Sequence, residues 1–373
     1  MLIAGEASGD LLAAELVAAL RSQLPDAKFF GAGGAKMSAA GVELAFDLTQ
    51  HSVIGISDVL IKYFTFRRLF NQLLALAIER KPDVVIGVDY GGFNLRFGQA
   101  VKKYVRDNPF SKWNPKIVQF VSPQVWASRP GRADKLARDY DLLLSIFPFE
   151  KDWYTQRVPK LRVEFVGHPM VERMQKSELG MQNKSSVPAV LLLPGSRRSE
   201  LQRHLPLMLA ALKTIQEKLP ATKAKMVLPN PALVTLAKSL GASMEIQIGE
   251  LHLTLAESDV AIASTGTVTM ECAFFGVPTV TLYKTSWLTY QIAKRIITVK
   301  SLTMPNLLAG ETIYPEFVQH DATPENLSRA ALELLQDESR QTKIKLQLTK
   351  IISSLGEPGA AGRAAEAVLS LFP

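Results

Sequence analysis

Ala189-Val190-Leu191-Leu192-Leu193-Pro194-Gly195-Ser196-Arg197 decides the fold, because at mid-chain it restarts a pattern already spelled by Met1-Leu2-Ile3-Ala4-Gly5-Glu6-Ala7-Ser8-Gly9-Asp10. Each is a short apolar run that stops at small and polar residues, which reads as a buried strand running into a loop. After the first run, Leu12, Leu16, Leu20 and Leu24 recur every four residues, predicting one buried helix face that Pro25 ends. Strands are expected at 1–4, 28–31, 83–89, 116–121, 141–146 and 163–166, and again at 189–193, 225–228, 244–248, 259–263 and 279–282. Helical or loop segments separate them, so each series predicts a parallel sheet covered on both faces. The expected fold class is α/β, with two doubly wound Rossmann-like domains facing across a cleft into which their strand-end loops open. Residues 177–188 are polar and aperiodic, like a linker, and 324–373 read as helical with a break around 356–362.

Length and composition agree with this division. A chain of 373 residues exceeds one ordinary core and suits two. Apolar residues at 47% and charged residues at 21% describe a globular chain, and no apolar run approaches the length of a bilayer span. The N-terminus lacks a basic segment followed by a long apolar core, and the single cysteine, Cys272, excludes an internal disulfide. A cytoplasmic protein is expected. The net charge of +8 favours anionic partners. No basic run, zinc-finger spacing or aromatic RNA-binding pattern is present, so phosphorylated ligands or anionic lipid are expected and nucleic acid is not.

Four strand-end loops carry the chemistry. Gly5-Glu6-Ala7-Ser8-Gly9-Asp10 lets backbone amides approach a ligand at a helix start, or is a tight turn with Ser8 or Asp10 as the cap. Gly87-Val88-Asp89-Tyr90-Gly91-Gly92 places an aspartate just past a buried strand, where it can accept a proton or close a turn. Leu193-Pro194-Gly195-Ser196-Arg197-Arg198 offers amides, a hydroxyl and a guanidinium fork to a diphosphate. Two arginines at the positive end of a helix run against its dipole, which favours an anion site over a plain cap. Ala263-Ser264-Thr265-Gly266-Thr267 offers further hydroxyls and amides, and Glu271 lies one turn beyond Thr267, able to accept from both hydroxyls of a ribose. The alternative is a capped helix with a buried glutamate. The five histidines show no metal-ligand spacing, and His168 alone suggests a substrate contact. Residues 59–76 interleave Ile61, Tyr63, Phe64 and Phe66 with Arg67 and Arg68, which suits a membrane surface or acyl-chain groove as well as an ordinary buried helix.

These loops together resemble the lipid-A-disaccharide synthase family, glycosyltransferase family 19. The likeness runs along nearly the whole chain. It includes Ala4–Asp10, Gly87-Val88-Asp89, Phe93-Asn94, Val121-Ser122-Pro123, Val125-Trp126-Ala127 and Phe147-Pro148-Phe149-Glu150. It continues through Val166-Gly167-His168-Pro169, Leu193–Arg197, Gly266-Thr267 with Glu271, and Pro305-Asn306-Leu307-Leu308-Ala309-Gly310. Ser128 departs from it, standing where the family usually has a second tryptophan.

The resemblance implies a GT-B fold, with an acceptor- and membrane-side domain at 1–168 completed by a C-terminal helix at about 350–373, and a UDP-sugar-binding domain at 169–349. It implies an inverting transfer from UDP-2,3-diacylglucosamine to 2,3-diacylglucosamine 1-phosphate, a phosphorylated monosaccharide lipid, giving a β-1,6-linked disaccharide and UDP. Asp89 is then the expected base. Gly195, Ser196, Arg197, Thr265, Gly266, Thr267 and Glu271 are the expected UDP site. Glu6, Ser8, Gly9, Ser122, Asn306, Glu316 and Gln319 are expected to contact acceptor or sugar. No cofactor or metal is expected, the anionic inner-membrane surface is the expected docking partner, and the choice between monomer and homodimer stays open. Two other readings compete: a UDP-sugar epimerase on the same scaffold, and a non-catalytic peripheral protein that binds glycolipid or nucleotide.

Overall fold

The computed structural model describes residues 1–51, 59–177 and 187–372; the side chains of residues 51, 59–63 and 174–177 lie outside that description. The chain divides into two compact units, one formed by Met1–Glu172 with Leu355–Pro373 and the other by Arg173–Ser354. Most of the linker expected at 177–188 lies outside the described residues.

The first unit holds β1 (Leu2–Ala4), β2 (Phe30–Gly33), β3 (Glu43–Asp47), β4 (Val84–Val88), β5 (Lys116–Phe120), β6 (Leu142–Ser145) and β7 (Val163–Phe165). They pair parallel in the order β3-β2-β1-β4-β5-β6-β7. The second unit holds β8 (Ala189–Leu193), β9 (Lys223–Leu228), β10 (Glu245–Ile248), β11 (Val260–Ser264), β12 (Thr279–Tyr283) and β13 (Glu316–Val318). Its parallel order is β10-β9-β8-β11-β12-β13. In each sheet the order of strands therefore reverses between its first and fourth strands. Such a switch point leaves a crevice at the carboxyl ends of the two strands. In register, Ala4 lies beside Val88 and Leu193 beside Ala263, so the loops leaving β1 and β4 start side by side, as do those leaving β8 and β11.

Burial explains which elements the apolar pattern foretells. β8 and β11 are apolar almost throughout, β12 alternates threonines with apolar residues, and all three are buried nearly end to end, as central parallel strands require. The edge strands β3 and β13 are half-buried and mix charges with apolar residues, so no continuous run announces them. β2 begins two residues later than the expected 28–31, because burial begins at Phe30 and runs through Gly33, whereas Lys28 is exposed and Phe29 half-buried. The first helix, Ala7–Gln23, buries Leu12, Leu16 and Leu20; Leu24 falls at its C-cap and is 47% exposed rather than part of the buried face.

The C-terminal segment belongs to the first unit. The Leu355 carbonyl accepts from the His168 amide at 2.9 Å, and Arg363 Nε donates to the Val166 carbonyl at 2.8 Å. The Ala360–Leu369 helix buries Ala364, Ala365 and Val368 and packs on the first helix, where alanines permit close approach. His168 Nδ1 accepts from the Met170 amide at 3.2 Å, and its ring lies 5.3 Å from that of Phe147, so it helps hold this junction.

Candidate active site

In the first unit the switch point brings Asp89 beside the β1 loop. Ser8 Oγ lies 3.5 Å from Asp89 Oδ2, and the carboxylate also accepts from the Tyr90 amide. Burial is the largest influence on Asp89 and pushes its pKa up, against those two hydrogen bonds. No cation forms an ion pair with it among the described residues. A carboxylate so placed is a stronger proton acceptor than one in water.

The backbone that presents Asp89 is held tightly. Asp89 and Tyr90 both take left-handed conformations, φ 50° and 47°, at a cost of about 1 kcal/mol or more each. Their surroundings supply the compensation. Asn94 Nδ2 donates to the Asp89 carbonyl at 2.8 Å and Gln119 Nε2 donates to it at 2.9 Å. The Asp89 amide donates to the Phe120 carbonyl at 2.8 Å. Gly5 and Gly9 leave the space this needs: a Cβ on Gly5 would meet the Tyr90 ring at 2.3 Å, and one on Gly9 would lie 3.4 Å from Asp89 Cβ.

Other expectations for this unit change. Glu6 stands exposed at the N-cap without a side-chain capping bond. Asp10 does not cap its own helix. Buried, it accepts from the amides of Gly34 at 2.7 Å, Lys36 at 2.9 Å and Met37 at 3.1 Å, and so caps the next helix, Ala35–Ala39. Ser122 was expected on the acceptor, but its buried hydroxyl donates to Tyr154 at 3.2 Å. Beside it the fully buried Glu150 accepts from Trp126 Nε1 at 3.0 Å, and burial pushes its pKa up to about 7. This cluster braces the 121–128 loop from within. On the Val59–Arg80 helix, Phe64 is 64% exposed and Arg67 and Arg68 are exposed. Phe66 instead packs against the core with Phe70, since Leu69, Leu73 and Ala77 set the inward face. The side chains of Ile61 and Tyr63 lie outside the described residues.

In the second unit the loops after β8 and β11 flank the other switch point. Gly195, at φ 116°, starts a turn in which the Ser196 and Arg197 amides point at one carboxylate, that of Glu200. Glu200 Oε2 accepts from them at 3.1 and 3.3 Å, and Oε1 accepts from Arg197 NH1 at 3.1 Å. Glu200 therefore supplies the negative charge that two arginines at a helix start had led us to expect from a ligand. Its position three residues after the N-cap was the available sequence signal. The geometry is that of an anion cradle, holding the protein's own anion.

Behind the cradle sits His204, buried. Its Nδ1 lies 2.9 Å from the Pro194 carbonyl, and its Nε2 accepts from the Lys284 amide at 3.0 Å. A carbonyl only accepts and an amide only donates, so the neutral ring with the proton on Nδ1 fits these two contacts; the Lys284 carbonyl also lies 3.2 Å from Nε2, the longest of the three. Burial lowers its pKa accordingly. Across the switch point, the Gly266 carbonyl accepts from Thr269 Oγ1 at 2.7 Å, while Gly266 and Thr267 stand exposed at the start of the Val268–Phe274 helix and Thr265 is half-buried. Glu271 is half-buried, and burial raises its pKa, partly opposed by Arg173.

Three further residues expected at the sugar are hydrogen-bonded within the protein. Asn306 Oδ1 accepts from the Ile313 and Tyr314 amides at 2.9 and 2.8 Å, and its Nδ2 donates to the Tyr314 carbonyl and to Glu316 at 2.8 Å each. Glu316 also accepts from the Leu302 amide at 2.8 Å and from the Thr303 amide and hydroxyl at 3.0 and 2.7 Å. Gln319 brackets the Thr285 backbone, accepting at 3.0 Å and donating at 2.9 Å. Polar groups removed from water satisfy their bonds where partners are nearest, and here most of the partners are backbone, with Asn306 and Thr303 adding side-chain bonds to Glu316.

A sequence profile of the family described as lipid-A-disaccharide synthetase matches residues 1–370. The lipid-A-disaccharide synthase of Trichlorobacter lovleyi is 37% identical over 386 positions, which cover 100% of this chain and 97% of that protein. Among solved structures, a putative UDP-N-acetylglucosamine 2-epimerase from Listeria monocytogenes aligns with a TM-score of 0.66 at 17% identity, covering 100% of this chain and 96% of its own. The glycosyltransferase of kitacinnamycin aligns with a TM-score of 0.61 at 16% identity, covering 98% and 97%. At such identities the likeness is one of fold, the GT-B type, and the epimerase match carries no activity with it. The chain belongs to the lipid-A-disaccharide synthetase family and is a glycosyltransferase of lipid A biosynthesis.

Proposed function

We propose that this chain joins UDP-2,3-diacylglucosamine to 2,3-diacylglucosamine 1-phosphate with inversion, and that Asp89 is the base. The acceptor's 6-hydroxyl attacks the donor's anomeric carbon as Asp89 takes its proton. The bond from that carbon to the diphosphate breaks, and UDP leaves with the electron pair. The observation that carries the reading is a half-buried carboxylate without an ion pair among the described residues, its backbone held at one switch point by two side-chain amides. Ser8 touches that carboxylate, and Glu6 and Gly9 stand beside it at the N-terminus of the Ala7–Gln23 helix, so these three are the proposed acceptor contacts.

In the other unit, Gly195, Ser196 and Arg197 are the proposed diphosphate cradle, which requires Glu200 to yield its place to the ligand. Thr265, Gly266 and Thr267 would add donors as charge grows on the leaving group. Glu271 would accept from the ribose hydroxyls. Asn306, Glu316 and Gln319 would shape the site without touching the sugar. The exposed Phe64, Arg67 and Arg68 suit the anionic inner face of the inner membrane, where both lipid substrates would reside. Among the described residues no helix is long and apolar enough to cross a membrane.

The test is a release assay with purified protein and UDP-diacylglucosamine, with and without diacylglucosamine 1-phosphate, following UDP and disaccharide. Acceptor-dependent UDP release with a disaccharide product is expected. UDP binding without release, or conversion of the UDP-sugar without acceptor, would overturn the reading. Light scattering of the same preparation distinguishes monomer from homodimer.

A further inference from the structure

The Trp287–Ile296 helix buries none of its ten residues. Trp287 is 66% exposed, Leu288 64% and Ile292 51%. Leu288 and Ile292 sit one turn apart, and Gln291 and Arg295 share the sector between Trp287 and Leu288. Lys294 and Arg295 are exposed beside them. From Cys272 to Gly310 the chain contains no aspartate or glutamate but carries Lys284, Lys294, Arg295 and Lys300. None of these four forms an ion pair among the described residues.

Large apolar side chains clustered on an outward face call for a cover. Cations interleaved with them, in a stretch of chain that carries no acid, favour an anionic cover. A tryptophan at the edge of such a face seats at headgroup depth. A second copy is a poor occupant, since a twofold contact would bring together two faces of the same positive charge with no acid in the 272–310 stretch of either to offset it. We propose that the outward face of the Trp287–Ile296 helix docks the Arg173–Ser354 unit onto an anionic bilayer surface. The helix supplies a lipid contact of its own, distinct in sequence and in unit from Phe64, Arg67 and Arg68. The proposal stands whichever reaction the chain performs.

The experiment is co-sedimentation of the whole protein with vesicles of phosphatidylglycerol in phosphatidylcholine, and of phosphatidylcholine alone. The variants are Trp287→Ser/Leu288→Ser/Ile292→Ser, Lys294→Gln/Arg295→Gln, and Phe64→Ser/Arg67→Gln. The first two are each expected to lower partition onto anionic vesicles by about tenfold. Because the helix is peripheral to the core, UDP affinity and melting temperature should hold, which separates docking from folding. Trp113 and Trp126 are buried, Trp153 is half-buried beneath Arg157 and Trp287 is the most exposed of the four, so a blue shift of emission on anionic vesicles should vanish in Trp287→Phe. Unchanged partition in both helix variants would overturn the proposal. So would loss of all binding in the Phe64/Arg67 variant alone. A triple variant that loses a concentration-dependent dimer but keeps its vesicle binding would assign the face to a second copy instead.

Discussion

Gln119, on β5, donates its side-chain amide to the backbone carbonyl of Asp89, at the end of the neighbouring strand, over 2.9 Å. Asn94 reaches the same carbonyl at 2.8 Å, and each of these two amides leaves its own oxygen, Gln119 Oε1 and Asn94 Oδ1, buried without a partner. Two incompletely satisfied buried amides are a cost, and what they secure is the position of Asp89. Gln119→Leu should therefore lower turnover with KM little changed. The lost bond to the carbonyl costs about 1–3 kcal/mol, partly offset by removing the orphaned oxygen. Steady-state kinetics with a thermal melt checks both.

Asp89→Asn should cut turnover by roughly 10²–10⁴-fold, the usual worth of a general base, while the fold persists. The stability effect has a definite sign. Burial raises the folded pKa of Asp89 above its usual 3.8, so its contribution is fully present below that value and is lost as pH rises through the folded pKa. At neutral pH the asparagine variant should therefore melt slightly higher than the parent. A variant with near-parental turnover would remove Asp89 from the mechanism.

Gly195→Ala should weaken both UDP binding and the fold. The residue sits at φ 116°, and a Cβ there would come 2.5 Å from Glu200 Oε2, crowding the carboxylate that fills the cradle. Strain of about 1–3 kcal/mol is expected in the melt. Calorimetric titration with UDP would show reduced affinity, whereas Arg197→Ala should lose affinity with little change in melting temperature. That difference separates backbone shape from charge.

His204 should make stability depend on pH in mildly acid solution. Its folded pKa lies below the usual 6.5, so the unfolded chain takes up a proton first. Stability is full above 6.5 and falls as pH drops toward the lowered value. The proton would need the nitrogen that now accepts from the Lys284 amide. Replacing His204 by Leu should lower stability throughout and remove this histidine's share of the slope between pH 7 and 5, measured as melting temperature against pH.

Local chemistry made much of this protein legible. An apolar run stopping at Gly, Ser or Asp is a strand and its loop, and that signal is carried by adjacent residues. It located the central strands and the four loops that flank the two switch points. It missed β3 and β13, whose half-exposed edges leave no apolar run. Gln119 was visible only as one polar residue inside an otherwise apolar strand, and the Ser-Arg-Arg-Ser-Glu200 spacing held a capping signal that the arginines obscured.

The partner of each polar side chain was a different matter. Asp10 meets amides more than twenty residues away, His204 joins Pro194 to Lys284 eighty residues on, and Asn306, Glu316 and Gln319 bond to backbone and side chains brought to them by the fold. Sequence by itself determined where strands end and which residue types stand there, because apolar burial and turn chemistry act over a few neighbours. Only the tertiary structure decided which of those groups are already satisfied, because a buried hydrogen bond is made with whatever the fold brings within about 3 Å, at any distance along the chain.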